Sequence, residues 1–252
     1  MQQEGLTGPV SVSIPNGYIH LAGHLYLPEG ESDNSKSPGV AVCHGLGSQK
    51  ENHADFARLL QARGFAVLTF DLRGHGESEG ELDDGVTSDL PAAVEYLAGR
   101  PEVDPSRIAV RGSSLGGQMA IHAGATSDLV HAVVAICPAH ESLRLEWEKD
   151  PAFEAAVRDL ANRIRLNRQG FTRHLQRHDV MDSVKRIAPR PLLLVHCRGD
   201  ETIPYQLSEK LLDAAGESGE LWLLEGGSHK SAQHDPEVQM QVADWIELKL
   251  NR

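Results

Sequence analysis

The sequence predicts an α/β fold built on a mainly parallel sheet with helices on both faces. A short apolar run, a glycine-bearing turn and a helical stretch recur along most of the chain. That alternation is expected when crossover helices cover both sides of parallel strands. The chain opens differently, with alternating apolar and polar residues on either side of Pro15-Asn16-Gly17, which signals an antiparallel hairpin. Of 252 residues, 40% are hydrophobic and 24% charged, a mixture that can bury a core and is neither disordered nor low in complexity.

Residues 10–14 and 18–27 alternate and form the hairpin. Residues 29–37 are polar and read as an exposed loop. Residues 39–44 (GVAVCH) are a buried strand, followed by an amphipathic helix over 54–63 that Gly64 stops. Residues 65–70 (FAVLTF) form the next strand, ending at Asp71. Ser88 is placed to cap a helix running to Ala98. A strand at 107–111 (RIAVR) leads into a helix over 115–125. Further strands fall at 132–137, 191–197 and 221–224, with helices over 206–215 and 236–249. Residues 139–190 break the rhythm, with helical patterning and no strand-like run. This stretch holds eleven Lys or Arg and eight Asp or Glu, a net +3 within a chain of net charge −12. It reads either as a lid over the body or as ordinary surface helices. The chain as a whole, 1–252, is expected to be a single domain, a length common for one α/β unit.

The acidic balance argues against nucleic acid or an anionic membrane as partner, since phosphate recognition needs clustered Lys and Arg. No apolar run approaches the roughly 20 residues of a membrane span. The start, Met1-Gln2-Gln3-Glu4-Gly5, has neither a basic nor an apolar leader region, and a chain with its leader removed would look the same. Three cysteines, Cys43, Cys137 and Cys197, each end an apolar run. They read as reduced, buried thiols of a cytoplasmic protein.

The chemistry centres on Gly112-Ser113-Ser114-Leu115-Gly116, a G-x-S-x-G string. The string alone is weak, but here it follows a strand and opens a helix, the setting of a nucleophile elbow. Small residues at 112 and 116 let the chain turn tightly, so Ser114 projects above the sheet. The alternative is a plain turn with Ser114 capping the helix. A serine hydroxyl needs an adjacent base to become a nucleophile, and the elbow predicts an acid and then a histidine in chain order. Asp200 follows the strand 191–197 and His229 follows the strand 221–224, so both stand at the edge where Ser114 lies. Asp200 would orient and stabilise His229, which would act as general base and then acid. Glu141 and His234 are the second choices for acid and base. The oxyanion would take the backbone N–H of Leu115 and, from the loop His44-Gly45-Leu46-Gly47, that of Leu46.

At these residues the sequence resembles the α/β-hydrolase superfamily. The match rests on His44-Gly45-Leu46-Gly47, the string 71–78 (DLRGHGES), 112–116 (GSSLG), 196–204 (HCRGDETIP) and Gly227-Ser228-His229. It is most similar to small-capped serine esterases, the cinnamoyl and feruloyl esterase, monoacylglycerol lipase and serine aminopeptidase-like group. The resemblance implies an eight-stranded-type sheet with an N-terminal antiparallel hairpin, and a small helical cap over 139–190. It also implies that 71–78 is a structural loop beneath the oxyanion region, so His75 is not catalytic. Serine at 114, where sister activities carry Asp or Cys, points to acyl transfer to water. The expected activity is hydrolysis of a small-molecule carboxylic ester through an acyl-enzyme, with no cofactor. A peptidase, thioesterase or carbon–carbon hydrolase on the same triad stays open, as does a non-catalytic binding module. The basic excess of the cap suggests anionic or phenolic acids as substrate. No metal site is expected: His174 and His178 lie four apart on a helix, but nothing in the sequence completes a site. Oligomeric state is left open, a homodimer included.

Overall fold

The computed structural model describes residues 7–29, 36–140, 159–160 and 162–251. Eight strands form one sheet: β1 (Val10–Asn16), β2 (Ile19–Tyr26), β3 (Ser37–Cys43), β4 (Ala66–Phe70), β5 (Val103–Ser113), β6 (Ala132–Ile136), β7 (Leu192–Cys197) and β8 (Gly219–Leu224). Their order is β1-β2-β4-β3-β5-β6-β7-β8. The β1–β2 and β2–β4 pairs are antiparallel, and every later pair is parallel. The hairpin turns at Gly17, whose φ of +64° is the left-handed conformation that Asn-Gly supplies.

Helices α1 (Ala54–Gln61), α2 (Asp89–Ala98), α3 (Leu115–Thr126), α4 (Arg168–Arg177), α5 (Val180–Val184), α6 (Gln206–Ala215), α7 (Ser231–His234) and α8 (Pro236–Leu250) surround the sheet. Successive strand residues point to opposite faces, which splits the core in two. Ala41, Ile108, Val110, Leu192 and Leu194 pack under α2, α3, α5 and α6. Val40, Val42, Ala109, Leu193 and Val195 pack under α1 and α8, against Phe56, Leu60, Trp245 and Ile246. Residues buried on both faces cannot alternate with polar ones, which is why these strands appear in the sequence as continuous apolar runs.

One expectation needs correction. Ser88 does not cap α2 through its side chain; its hydroxyl donates to the Gly85 carbonyl at 2.8 Å. A 3-10 turn over Asp84–Ser88 precedes the helix, and Asp83 caps that turn instead. Much of the helical pattern at 153–164 lies outside the described residues, but Leu160 and Ile164 are buried in the larger core cluster. Among the described residues, several charges of the basic stretch are paired. Arg173 and Arg177 pair with Asp84, Lys185 with Asp182 and Arg163 with Asp159. Arg165 donates to the carbonyls of Ser78 and Gly80, and Arg190 to that of Ser127. Most of these charges tie residues 159–190 to the body or to one another.

Candidate active site

Ser114 stands between β5 and α3 with φ 55° and ψ −120°. A non-glycine residue held there costs of order 1–3 kcal/mol and persists only where its surroundings force it. They do so here by close approach. A Cβ on Gly112 would lie 1.9 Å from the Gly116 carbonyl oxygen, and one on Gly116 would lie 2.3 Å from that of Cys43. Ser114 makes no side-chain cap to α3, so the plain-cap reading fails. Its N–H donates to Ile136 O at 2.9 Å and its carbonyl accepts from Ala139 N–H at 2.9 Å, which fastens the elbow across the end of β6.

Asp200 and His229 come together as the sequence predicts. Asp200 follows β7 and its side chain is fully buried; His229 follows β8 with a side chain 13% exposed, and Nδ1 lies 2.8 Å from Asp200 Oδ2. A carboxylate only accepts, so Nδ1 carries the proton and Nε2 keeps its lone pair. The Asp200 Oδ1 atom accepts from Thr202 and Ile203 N–H, each at 2.8 Å. Burial alone pushes the Asp200 carboxyl upward. Hydrogen bonds from His196, His229 and the Ile203 amide outweigh it and hold the group well below the usual carboxylate range. Among the described residues Ser114 Oγ makes no hydrogen bond, so contact with His229 is not closed in this arrangement.

One partner escaped the sequence reading. His196, on β7, places Nε2 3.2 Å from Asp200 Oδ2 and 3.0 Å from Ile203 O, while Nδ1 lies 2.7 Å from Ser208 Oγ. Both neighbours of Nε2 are acceptors, so His196 donates to them and accepts from Ser208. Asp200 is thus gripped by two imidazoles. The signal was present: His196 stands four residues before Asp200. Cys137, after β6, joins the same cluster, its sulfur within 4.8 Å of donor atoms on His196 and Asp200. Of the second choices, only His234 can be placed. His234 stacks on His53 at 6.2 Å, and Glu141 lies outside the described residues.

The loop His44-Gly45-Leu46-Gly47 is braced by two further histidines. Gly45 approaches Ser114 so closely that a Cβ there would lie 3.1 Å from Ser114 Cβ. His44 Nε2 accepts from Leu72 N–H at 3.0 Å and Nδ1 donates to Gly45 O at 2.7 Å. His75 Nε2 accepts from Gly47 N–H at 3.1 Å and Nδ1 donates to Arg73 O at 3.1 Å. Each ring is fixed as the Nδ1–H neutral tautomer, and His75 therefore positions the loop. The base of the same loop is an ion cluster. Lys50, 2% exposed, reaches Asp71 and Glu77 at 2.8 Å each. The backbone N–H groups of Leu46 and Leu115 have no hydrogen-bond partner among the described residues.

This bracing has a pH dependence. Burial, reinforced by neighbouring His44, lowers the His75 pKa to about 4, against about 6.5 in an unfolded chain. Between those values the unfolded state binds the proton that the folded state refuses, so stability falls as pH falls through this window. Unfolding free energy measured in urea is expected to drop by about 2 kcal/mol from pH 7 to pH 5 through His75 alone. His75→Gln should remove that share; an unchanged pH dependence would refute the assignment.

The family model of the prolyl oligopeptidase family matches residues 54–252. An uncharacterized protein of Mycobacterium tuberculosis, Rv2307c, is 31% identical over 222 residues, spanning 86% of this chain and 69% of the relative. Among solved structures, the α/β-hydrolase GrgF of a Penicillium species superposes with a TM-score of 0.80 at 20% identity, over 98% of this chain and all of the other. The Est1E protein of Butyrivibrio proteoclasticus, solved with ferulic acid bound, superposes at 0.77 and 20% identity, over 96% of this chain and all of its own. No helix among the described residues is long and apolar enough to cross a membrane. Sheet order, strained serine turn and family match agree, and the chain belongs to the prolyl oligopeptidase family of the α/β-hydrolase superfamily.

Proposed function

We propose that this protein is a serine hydrolase that cleaves carboxylic esters of small molecules through an acyl-enzyme. The Asp200–His229 pair, formed at the sheet edge where the strained Ser114 emerges, is the observation that carries the reading. His229 Nε2 takes the proton of Ser114 Oγ as the oxygen bonds to the ester carbonyl. The N–H groups of Leu46 and Leu115, both without other partners among the described residues, hold the oxyanion. His229 returns the proton to the leaving alcohol, then deprotonates the water that releases the acid. The open contact between Ser114 and His229 suits this role, because catalytic hydrogen bonds in unliganded sites often tighten only in the substrate complex.

Residues 139–190 are assigned as a cap within a single-domain chain. A cavity of about 540 Å³ beside the oxyanion loop is lined by Gly47, Ser48, Gln49 and Asn52 from the body and by Asn162 and Arg163 from this stretch. Its polar lining suits an oxygen-rich acyl or alcohol group, and the ferulic-acid complex of the Est1E structure supports phenolic acids as candidates. The buried thiols fit a cytoplasmic enzyme. The family's description favours a second reading, a peptidase acting through the same three residues.

A fluorophosphonate probe followed by peptide mapping tests the nucleophile, and a panel of phenolic esters, butyrates, thioesters and aminoacyl amides separates the reactions. Labelling of Ser114 with ester turnover well above amide turnover is expected. Turnover confined to aminoacyl amides would transfer the assignment to the peptidase reading, and neither labelling nor turnover would leave a binding module.

A further inference from the structure

Away from the serine, three histidines gather where α3 meets α4. His122 lies on α3, His174 near the end of α4, and His178 directly after it. Their ring centroids stand 5.2 Å (His174–His178), 5.7 Å (His122–His178) and 6.4 Å (His122–His174) apart. The pair four apart on one helix thus finds its third member on another, which the sequence could not show.

The hydrogen bonds fix what these rings offer. The Ser183 hydroxyl donates to Asp179 O at 3.1 Å, so it can only accept from His122 Nδ1, 2.7 Å away. His122 therefore carries its proton on Nδ1 and presents a bare lone pair at Nε2, which is buried and unpartnered. His174 is fully buried, and neither of its ring nitrogens has a partner. A buried polar atom without a protein partner calls for an explanation, and a bound ion is one. Burial lowers the His122 pKa to about 4 and that of His174 to about 3, so both rings are neutral donors at pH 7.

We propose that His122, His174 and His178 bind one transition-metal dication, of the class of Zn2+ or Co2+. Three imidazoles sharing a tetrahedral ion, each through one nitrogen about 2.0–2.1 Å away, have centroids about 5 Å apart, close to the triangle seen here. The bond from His122 Nδ1 to Ser183 is the outer-shell contact that orients a metal-bound histidine. An open cavity of about 800 Å³, lined by His122 and His178 together with Asp179 and Asp182, supplies the entry path and room for water as fourth ligand. The ring nitrogens are not all within 4.8 Å of one another. Binding has to draw the His122 and His174 rings, now 6.4 Å apart, together by about 1 Å and to turn the half-exposed His178, whose ring has no hydrogen-bond partner among the described residues. The ion joins the helix that starts at Ser114 to the segment over 168–178.

Titrating the EDTA-treated full chain with Co2+, followed by visible absorption, and with Zn2+, followed by calorimetry, tests this. One equivalent should bind, with the absorption of four-coordinate cobalt. His174→Phe, which keeps ring volume and removes an unsatisfied group, should abolish binding while the metal-free melting temperature holds or rises. His178→Ala, at a half-exposed position, should do the same to binding, and Ser183→Ala should weaken it roughly 10–100-fold. Binding that survives both histidine substitutions overturns the proposal. So does binding lost instead in Cys137→Ala, which would place the ion at the Cys137–His196–Asp200 cluster, and so does no binding at all.

Discussion

Ser114→Ala is expected to lower ester turnover on the order of 10^6-fold, the scale seen when the nucleophile of such a unit is removed. The protein should stay folded, because the turn is imposed by Gly112 and Gly116 against the Cys43 and Gly116 carbonyls rather than by the hydroxyl. Circular dichroism and the melting temperature check that point. Residual rate above the uncatalysed reaction should survive, since the Leu46 and Leu115 N–H groups still meet the oxyanion. Ser113, next in the chain, gives the matched control. It is 4% exposed, with Oγ buried and unpartnered, so Ser113→Ala should leave turnover near wild type. Turnover retained in Ser114→Ala would end the nucleophile assignment.

Asp200→Asn should cost about 10^4-fold in kcat with little change in fold. The reason is tautomeric. The amide oxygen can still accept from Thr202 and Ile203 N–H, which leaves the amide NH2 facing the two imidazoles. His229 must then carry its proton on Nε2, where it cannot accept one from serine. His196, which donates to the same oxygen in the native chain, opposes that NH2 as well. The two defects predict that kcat falls while KM stays within a few-fold, measured on an activated ester. A kcat within tenfold of wild type would show that Asp200 does not set the tautomer of His229.

The sheet was legible because its strands are short apolar runs buried on both faces, and the hairpin because Asn16-Gly17 demands a left-handed turn. The meeting of Asp200 and His229 at the edge where Ser114 lies was legible because each stands in the loop after a strand of the parallel sheet. The hidden parts depend on contacts that have no local signature. Nothing near Gly47 announces His75, 28 residues on, as the acceptor of its N–H. Nothing near His174 announces His122. Ser88 misled because Asp83, five residues earlier, satisfies the 3-10 turn that leads into the helix. Nor can charge counting along 139–190 show that Arg173 and Arg177 meet Asp84.

Cys137 has one more implication. Its sulfur sits beside the carboxylate that orients the base, yet the residue is 1% exposed and burial drives its thiol far from ionisation. Thiolate, not thiol, is what alkylating agents attack. Sensitivity to maleimide or iodoacetamide, by which cysteine enzymes are commonly recognised at the bench, is therefore not a property this architecture confers, even with sulfur so near the reacting groups.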